Sequence, residues 1–314
     1  MQLISREEIE QILPTLDLMS DIEAGFAAFS KGRSNIPPVG ELVMEKGEVH
    51  IKYGAITGDP YYVIKIASGF YGNVELGLPS SNGLMLLFSQ TTGELLATLL
   101  DEGILTDART AVAGAIAAKH LAPSNIECIG IVGTGMQARL QLQYLAPVTK
   151  CKKVMVWGRN PERLKRYQTE MTALGYEVAT TQEAADIGAN CNLIVTTTIA
   201  ETPILRADHI RPGTHISAVG SDTPHKQELD ESILAKADCV VADSIEQCAL
   251  RGEIFKALEA QVITSNDVKE LGNIIIGQTK GRENETDITI FDSTGVAVQD
   301  IQIALAVYEK LAKS

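Results

Sequence analysis

The run Ile129-Gly130-Ile131-Val132-Gly133-Thr134-Gly135-Met136-Gln137-Ala138 sets two glycines and an alanine in a G-x-G-x-x-A spacing behind an apolar segment. That pattern suits a phosphate-bearing dinucleotide. Gly133 permits a tight turn, Gly135 lets backbone amides approach a pyrophosphate, and Ala138 lets the following helix pack closely on its strand. The amino end of that helix favours the anion. A bare G-x-G-x-x-A is a weak signal, and a glycine turn without a ligand is the simpler alternative; its position between an apolar strand and a helix, inside a strand–helix–strand unit, strengthens it. The next strand, Val154-Met155-Val156-Trp157, runs into Gly158-Arg159-Asn160. An NAD-selective site usually carries an acidic residue there for the ribose hydroxyls. Arg159 suits a 2′-phosphate instead, so NADP(H) is the preferred cofactor and NAD(H) is allowed. A solvated loop arginine is the competing reading of Arg159.

The elements that would position this loop read as α/β. From residue 128 onward apolar strands alternate with helices, starting at Cys128, Lys153, Glu177, Leu193, His215 and Cys239, with a further strand at Ile288–Phe291. Such alternation predicts a Rossmann-type, doubly wound parallel sheet. The first 118 residues read differently, as an α+β domain. Ser5 followed by Glu7 and Glu8 marks a capped helix start, a second helix covers Met19 to Lys31, and strands follow at Val49–Tyr53, Tyr61–Ile66, Leu84–Phe88 and Leu95–Leu100. An alanine-rich helix over Leu105–Leu121, with Thr106 as its N-cap, leads onward, and the chain closes on an amphipathic helix from Val296. The expected domains are therefore residues 1–118 completed by 296–314, and residues 119–295.

Composition sets limits on function. The 314 residues are 45% apolar and 5% aromatic, with a formal charge of −13. An acidic chain of this kind is a poor binder of nucleic acid or anionic membranes, so an anionic ligand needs a local basic pocket. The five cysteines are scattered without a C-x-x-C pair, which points to reduced thiols and a cytoplasmic location. The amino terminus does not read as a signal peptide, and no apolar run is long enough to span a bilayer. The five histidines show no metal-ligand spacing, so no metal is expected.

Five ordered segments resemble the ornithine cyclodeaminase/μ-crystallin family: Gly77-Leu78-Pro79-Ser80, Leu105-Thr106-Asp107-Ala108-Arg109-Thr110-Ala111, Gly133–Ala138, Val219-Gly220-Ser221-Asp222 with Lys226-Gln227-Glu228-Leu229, and Ser293–Asp300. The resemblance implies hydride exchange between a nicotinamide and the α-carbon of an amine/imine pair. It implies that Lys65 and Arg109 grip a substrate carboxylate, that Ser80 or Ser81 brings a hydroxyl near it, that Asp222 is the acid/base, and that Thr294 lies in a loop closing over the ligand. The cofactor contacts it implies are Gly133, Thr134, Gly135, Met136, Gln137, Ala138, Arg159, Asn160, Thr196, Thr197, Thr198, Val219 and Gly220. Relatives are homodimers built through the first domain. Where many relatives carry an arginine after the prolines, this chain has Pro37-Pro38-Val39-Gly40-Glu41, and Lys52, one strand later, is the candidate replacement.

Plainer roles compete with these. Lys65 could guard a sheet edge, Arg109 could pair with Asp107 or Asp101, Asp222 could cap a helix, and Lys52 could be an ordinary strand lysine. The expected reaction is NAD(P)H-dependent reduction of Δ1-pyrroline-2-carboxylate to L-proline, with Δ1-piperideine-2-carboxylate as the six-membered analogue. The alternatives are an ornithine or lysine cyclodeaminase that uses bound NAD and releases ammonia, and a non-catalytic NADPH-binding protein.

Overall fold

The computed structural model describes residues 1–312 apart from the Val74 side chain. The last two residues of the expected C-terminal helix, 313 and 314, lie outside the described residues. The chain divides into two compact units: Met1–Arg109 with the described part of Val296–Ser314, and Thr110–Gly295.

In the first unit, β1 (Gln2–Ile4) leads to α1 (Arg6–Ile12) and α2 (Leu18–Ser30). Ser5 and Glu8 form a reciprocal capping box, Glu8 N donating to Ser5 Oγ and Ser5 N to Glu8 Oε2. Strands β2 (Ser34–Asn35), β3 (Gly40–Met44), β4 (Gly47–Ile56), β5 (Tyr61–Gly69), β6 (Ser81–Ser89) and β7 (Leu95–Leu99) follow. Among the described residues these strands form one seven-stranded sheet in the order β1-β7-β6-β5-β4-β2, with β3 also pairing β4. β5 is thus interior, and Lys65 sits at its middle rather than at an edge or an end.

Side chains alternate across a strand, and on β4 and β5 the buried set includes His50, Lys52, Ile56, Val63 and Lys65. Register then fixes a row across four strands: Lys52 opposite Lys65, Lys65 opposite Met85, Met85 opposite Leu99. The C-terminal helix, Ala297–Ala312, packs on α2 and on β4, β5 and β6. Its approach to α2 is close, because a Cβ on Gly25 would stand 2.8 Å from Gln302 Cγ and 3.2 Å from the Val298 carbonyl. α3 (Ile104–Leu121) starts one residue earlier than expected, and Thr106 is not its cap. Asp101 takes that place, its Oδ2 accepting from Leu105 N at 3.0 Å. Glu102 and Gly103, both with positive φ, form the turn that brings the carboxylate back over the helix start.

The second unit contains β8 (Ile129–Val132), α4 (Met136–Tyr144), β9 (Lys153–Trp157), α5 (Pro161–Ala173), β10 (Glu177–Thr181), α6 (Ala184–Asn190), β11 (Leu193–Thr196), β12 (His215–Ala218), α7 (Glu231–Lys236), β13 (Cys239–Ala242), α8 (Ile245–Cys248), α9 (Gly252–Glu259), β14 (Val268–Glu270), α10 (Leu271–Ile275) and β15 (Thr289–Asp292). Among the described residues they make a parallel eight-stranded sheet, ordered β10-β9-β8-β11-β12-β15-β13-β14. β8, β11, β12, β13 and β15 are buried throughout, as strands covered on both faces must be. Ile129, Ile131, Leu193 and Val195 feed one core, while Val132, Ile194, Ile216 and Ile290 feed the other. The strand order reverses between β8 and β11, the switch point where an open α/β sheet offers a ligand crevice. No helix among the described residues is long and apolar enough to cross a membrane.

Phe26 is fully buried on α2, the helix on which the C-terminal helix packs. Phe26→Ala is expected to cost the first unit about 3–5 kcal/mol, read as a lower denaturant midpoint; a midpoint within error of the wild type would show that this packing is not limiting.

Candidate active site

The first unit gathers charge where its sheet is driest. Lys65 Nζ donates to Asp300 Oδ1 at 3.0 Å, and both side chains are almost wholly buried, at 2% and 1% exposure. Arg109 Nε lies 3.0 Å from the same oxygen, as an ion pair without hydrogen-bond alignment, and Arg109 Nη1 donates to Gln299 Oε1 at 3.0 Å. Arg109 thus pairs with a residue of the C-terminal helix. Lys52, also buried, stands opposite Lys65 in the β4–β5 register.

Like charges placed across a strand pair repel, and burial adds to that cost. The Lys65 ammonium is pushed down to about 7, first by burial, then by Arg109 and Lys52, against the pull of Asp300. Burial also raises the Asp101 carboxyl, which feels Lys65. Two acceptors here, Asp300 Oδ2 and Asp101 Oδ1, have no hydrogen-bond partner among the described residues. Lys65 and Arg109 thus share one buried carboxylate, with a third buried cation, Lys52, across the strand pair, a grouping of donors that suits an anion.

The sequence reading missed Asp300. Its signal lay within the noted run Ser293–Asp300, in the adjacent polar residues Gln299 and Asp300 of an otherwise apolar helix start. Ser81, the other expected neighbour of the substrate, is exposed at the start of β6, and Ser80 is partly buried with its carbonyl accepting from Phe70 N. Strand pairing also brings together what histidine spacing could not indicate: Glu41, Glu48 and His50 have ligand atoms within 4.8 Å of one another. His50 Nε2 is 3.1 Å from Glu41 Oε1, and Tyr71 donates to Glu48.

In the second unit the glycine loop has the build of a dinucleotide site. Gly133 has φ 121°, and a Cβ there would meet Thr197 Oγ1 at 2.6 Å. Around Gly135, the N-cap of α4, a Cβ would meet nothing within 4 Å, and no side chain caps the helix amides. Open space before uncapped N–H groups is what a pyrophosphate requires. Met136 is exposed, whereas Ala138 is buried, with Tyr167 donating to its carbonyl.

Arg139, another residue not anticipated, donates to the Thr134 and Gly135 carbonyls and pairs with Glu170, so it braces the loop from behind. At the end of β9, Arg159 is exposed, and the Asn160 side chain is committed to capping α5. Thr196 and Val219 are buried at the ends of neighbouring strands, with Val219 N donating to Thr196 O.

Asp222 follows β12, its side chain about one-third exposed, with Oδ1 2.7 Å from Lys226 Nζ. Thr294 is buried, and its hydroxyl is engaged by Asp243 and Gln247. Gly295 N also donates to Asp243, so the segment is pinned within its own unit.

Comparison with known proteins extends this geometry. The family model described as "Ornithine cyclodeaminase/mu-crystallin family" matches residues 1–314. An alanine dehydrogenase of Archaeoglobus fulgidus is 37% identical over 98% of this chain and 94% of its own. Among solved structures, the Δ1-pyrroline-2-carboxylate reductase of Thermococcus litoralis, in complex with NADH and L-proline, superposes with a TM-score of 0.94 at 31% identity, covering 100% of this chain and 98% of that one. An archaeal alanine dehydrogenase dimer with bound NAD gives 0.91 at 35% identity, covering 99% and 96%. Dinucleotide-type loop, doubly wound sheet and end-to-end match agree, and the chain belongs to the ornithine cyclodeaminase/mu-crystallin family.

Proposed function

We infer that this oxidoreductase reduces the carbon–nitrogen double bond of a small cyclic imino acid, Δ1-pyrroline-2-carboxylate, to give L-proline, with Δ1-piperideine-2-carboxylate as a second substrate. The observation that carries this reading is the buried cluster of Lys52, Lys65 and Arg109 about Asp300. A guanidinium and two ammonium groups in a dry setting suit a planar carboxylate, and fixing that group orients the carbon next to nitrogen. The Gly133–Ala138 loop, Thr196–Thr198, Val219 and Gly220 would hold the dinucleotide. Held by these residues, a reduced nicotinamide would supply hydride for the imine carbon. Asp222 delivers the proton to nitrogen, so that carbon gains hydride, nitrogen gains a proton and the double bond becomes single.

The exposed Arg159 supports a 2′-phosphate and hence NADP(H), with NAD(H) also accepted, as the NAD-bound relatives support. A cytoplasmic homodimer is the proposed state. A second reading has specific support: identity to an alanine dehydrogenase is 37%, which favours an open-chain imine formed from a 2-keto acid and ammonia. An assay of pyrroline- and piperideine-2-carboxylate against pyruvate with ammonium, each with NADH and NADPH, separates the two. Oxidation of ornithine or lysine with release of ammonia would instead favour a cyclodeaminase, and no turnover on any of these would favour a dinucleotide binder.

Three outcomes are expected. Lys65 must carry its proton to hold an anion, and its pKa in the folded protein lies near 7. Binding of L-proline should therefore be strongest below that pH and weaken by up to about tenfold per unit above it. Calorimetry at pH 6, 7 and 8 tests this, with Lys65→Met abolishing the dependence and a flat profile removing Lys65 from the role. Asp222→Asn should lower kcat by about 10²–10⁴-fold while the Kd for dinucleotide stays within about threefold; an unchanged kcat would dismiss Asp222. Arg159→Asp should shift the kcat/KM ratio from NADPH toward NADH, and an unaltered ratio would defeat the phosphate assignment.

A further inference from the structure

Glu228 is fully buried in the segment between β12 and α7. Its carboxylate accepts three hydrogen bonds from two separate loops. Oε2 takes Thr196 Oγ1 at 2.6 Å and Gly220 N at 2.9 Å, and Oε1 takes Thr198 N at 2.5 Å. Thr196 ends β11, and Gly220 lies two residues past the end of β12, the neighbouring strand. The two loops are drawn so close that a Cβ on Gly220 would stand 2.2 Å from Thr198 O and 2.6 Å from Glu228 Oε2. β11 also pairs with β8, and Thr197 Oγ1 donates to Val132 O at 3.1 Å, immediately before the Gly133 turn.

Glu228 is itself held by a second carboxylate. Its own N–H donates to Glu253 Oε1 at 2.7 Å, and Leu229 N donates to Glu253 Oε2 at 3.2 Å. Glu253 lies in the first turn of α9, where Ile254 N donates to Asp292 Oδ2 at 2.8 Å. Burial drives the Glu253 and Asp292 carboxyls well above the ordinary range, and it pushes Glu228 up to about 7. The three donors oppose that rise by favouring the ionised form of Glu228.

We propose that Glu228 is a positioning residue of the dinucleotide site: a single buried carboxylate ties the loop after β11 to the loop after β12 and so sets the backbone against which the nicotinamide half of the cofactor rests. The proposal rests on the reading that Thr196–Thr198, Val219 and Gly220 contact the dinucleotide. Only a carboxylate fits the three donors. It presents two acceptor oxygens and no hydrogen, whereas the glutamine of the same shape replaces one oxygen with an NH₂ group. That group must face either the Thr198 N–H or the Gly220 N–H, donor against donor, and one loop is released.

The test uses Glu228→Gln in the full chain, with NADH and NADPH as the probes. In the apo protein, hydrogen exchange at the Thr198 or Gly220 amide should quicken. The Kd for the dinucleotide, by fluorescence titration, should rise about tenfold, the equivalent of one charged hydrogen bond, while the KM for imino acid stays within about twofold. Thr196→Val, which removes one donor and keeps the shape, should shift the Kd the same way by less, and it carries the test if Glu228→Gln does not fold. Unchanged exchange, or a lower Tm with unchanged Kd, would make Glu228 merely structural and overturn the proposal. A wild-type chain that binds neither NADH nor NADPH would overturn the cofactor reading and the proposal with it.

Discussion

The first unit depends on one oxygen atom. Asp300 Oδ1 lies 3.0 Å from both Lys65 Nζ and Arg109 Nε, and without it these two buried cations would lose the carboxylate they share. Charges removed from water are tolerated only when paired and hydrogen-bonded. Asp300 supplies that pairing to Lys65 and Arg109 at once. In an acidic protein, at −13 overall, Lys52, Lys65 and Arg109 are thereby buried together in one small region.

The second unit uses buried carboxylates in the opposite sense. Asp243, Asp292, Glu253 and Glu228 accept mainly from backbone N–H groups of the loops and helix starts at the strand ends. They hold main chain in place. One unit thus gathers buried cations about a carboxylate, while the other sets its buried carboxylates against its own backbone. The Gly133 turn can then remain bare, since its helix amides carry no side-chain cap.

Periodicity and glycine placement made much of this legible in advance. The parallel sheet, the strand starts from Lys153 to Cys239, the Ser5 capping box and the glycine loop all follow from local pattern. Lys65 and Arg109, which the family resemblance singled out, both meet Asp300. What local pattern could not convey was contact at long range. Asp300 lies 235 residues beyond Lys65, and the grouping of Glu41 with Glu48 and His50 comes from the β3–β4 register. Glu228 stood in a quoted segment without a role, since a loop glutamate looks like any other until its three donors are in view. The misplaced N-cap has a similar cause: Thr106 is a good capping residue by type, but the turn at Glu102 and Gly103 delivers Asp101 first.

The same long separation bears on how the chain is made. Strands β4 and β5, with Lys52 and Lys65 facing each other, leave the ribosome well before Ala297–Ala312 exists. The middle of the chain, from Thr110 to Gly295, is a compact unit and can fold as one during synthesis. The carboxylate that pairs Lys65 and Arg109 becomes available only once Ala297–Ala312 has been made. The sheet that holds Lys65 thus depends for this pairing on a helix residue 235 positions further along the chain.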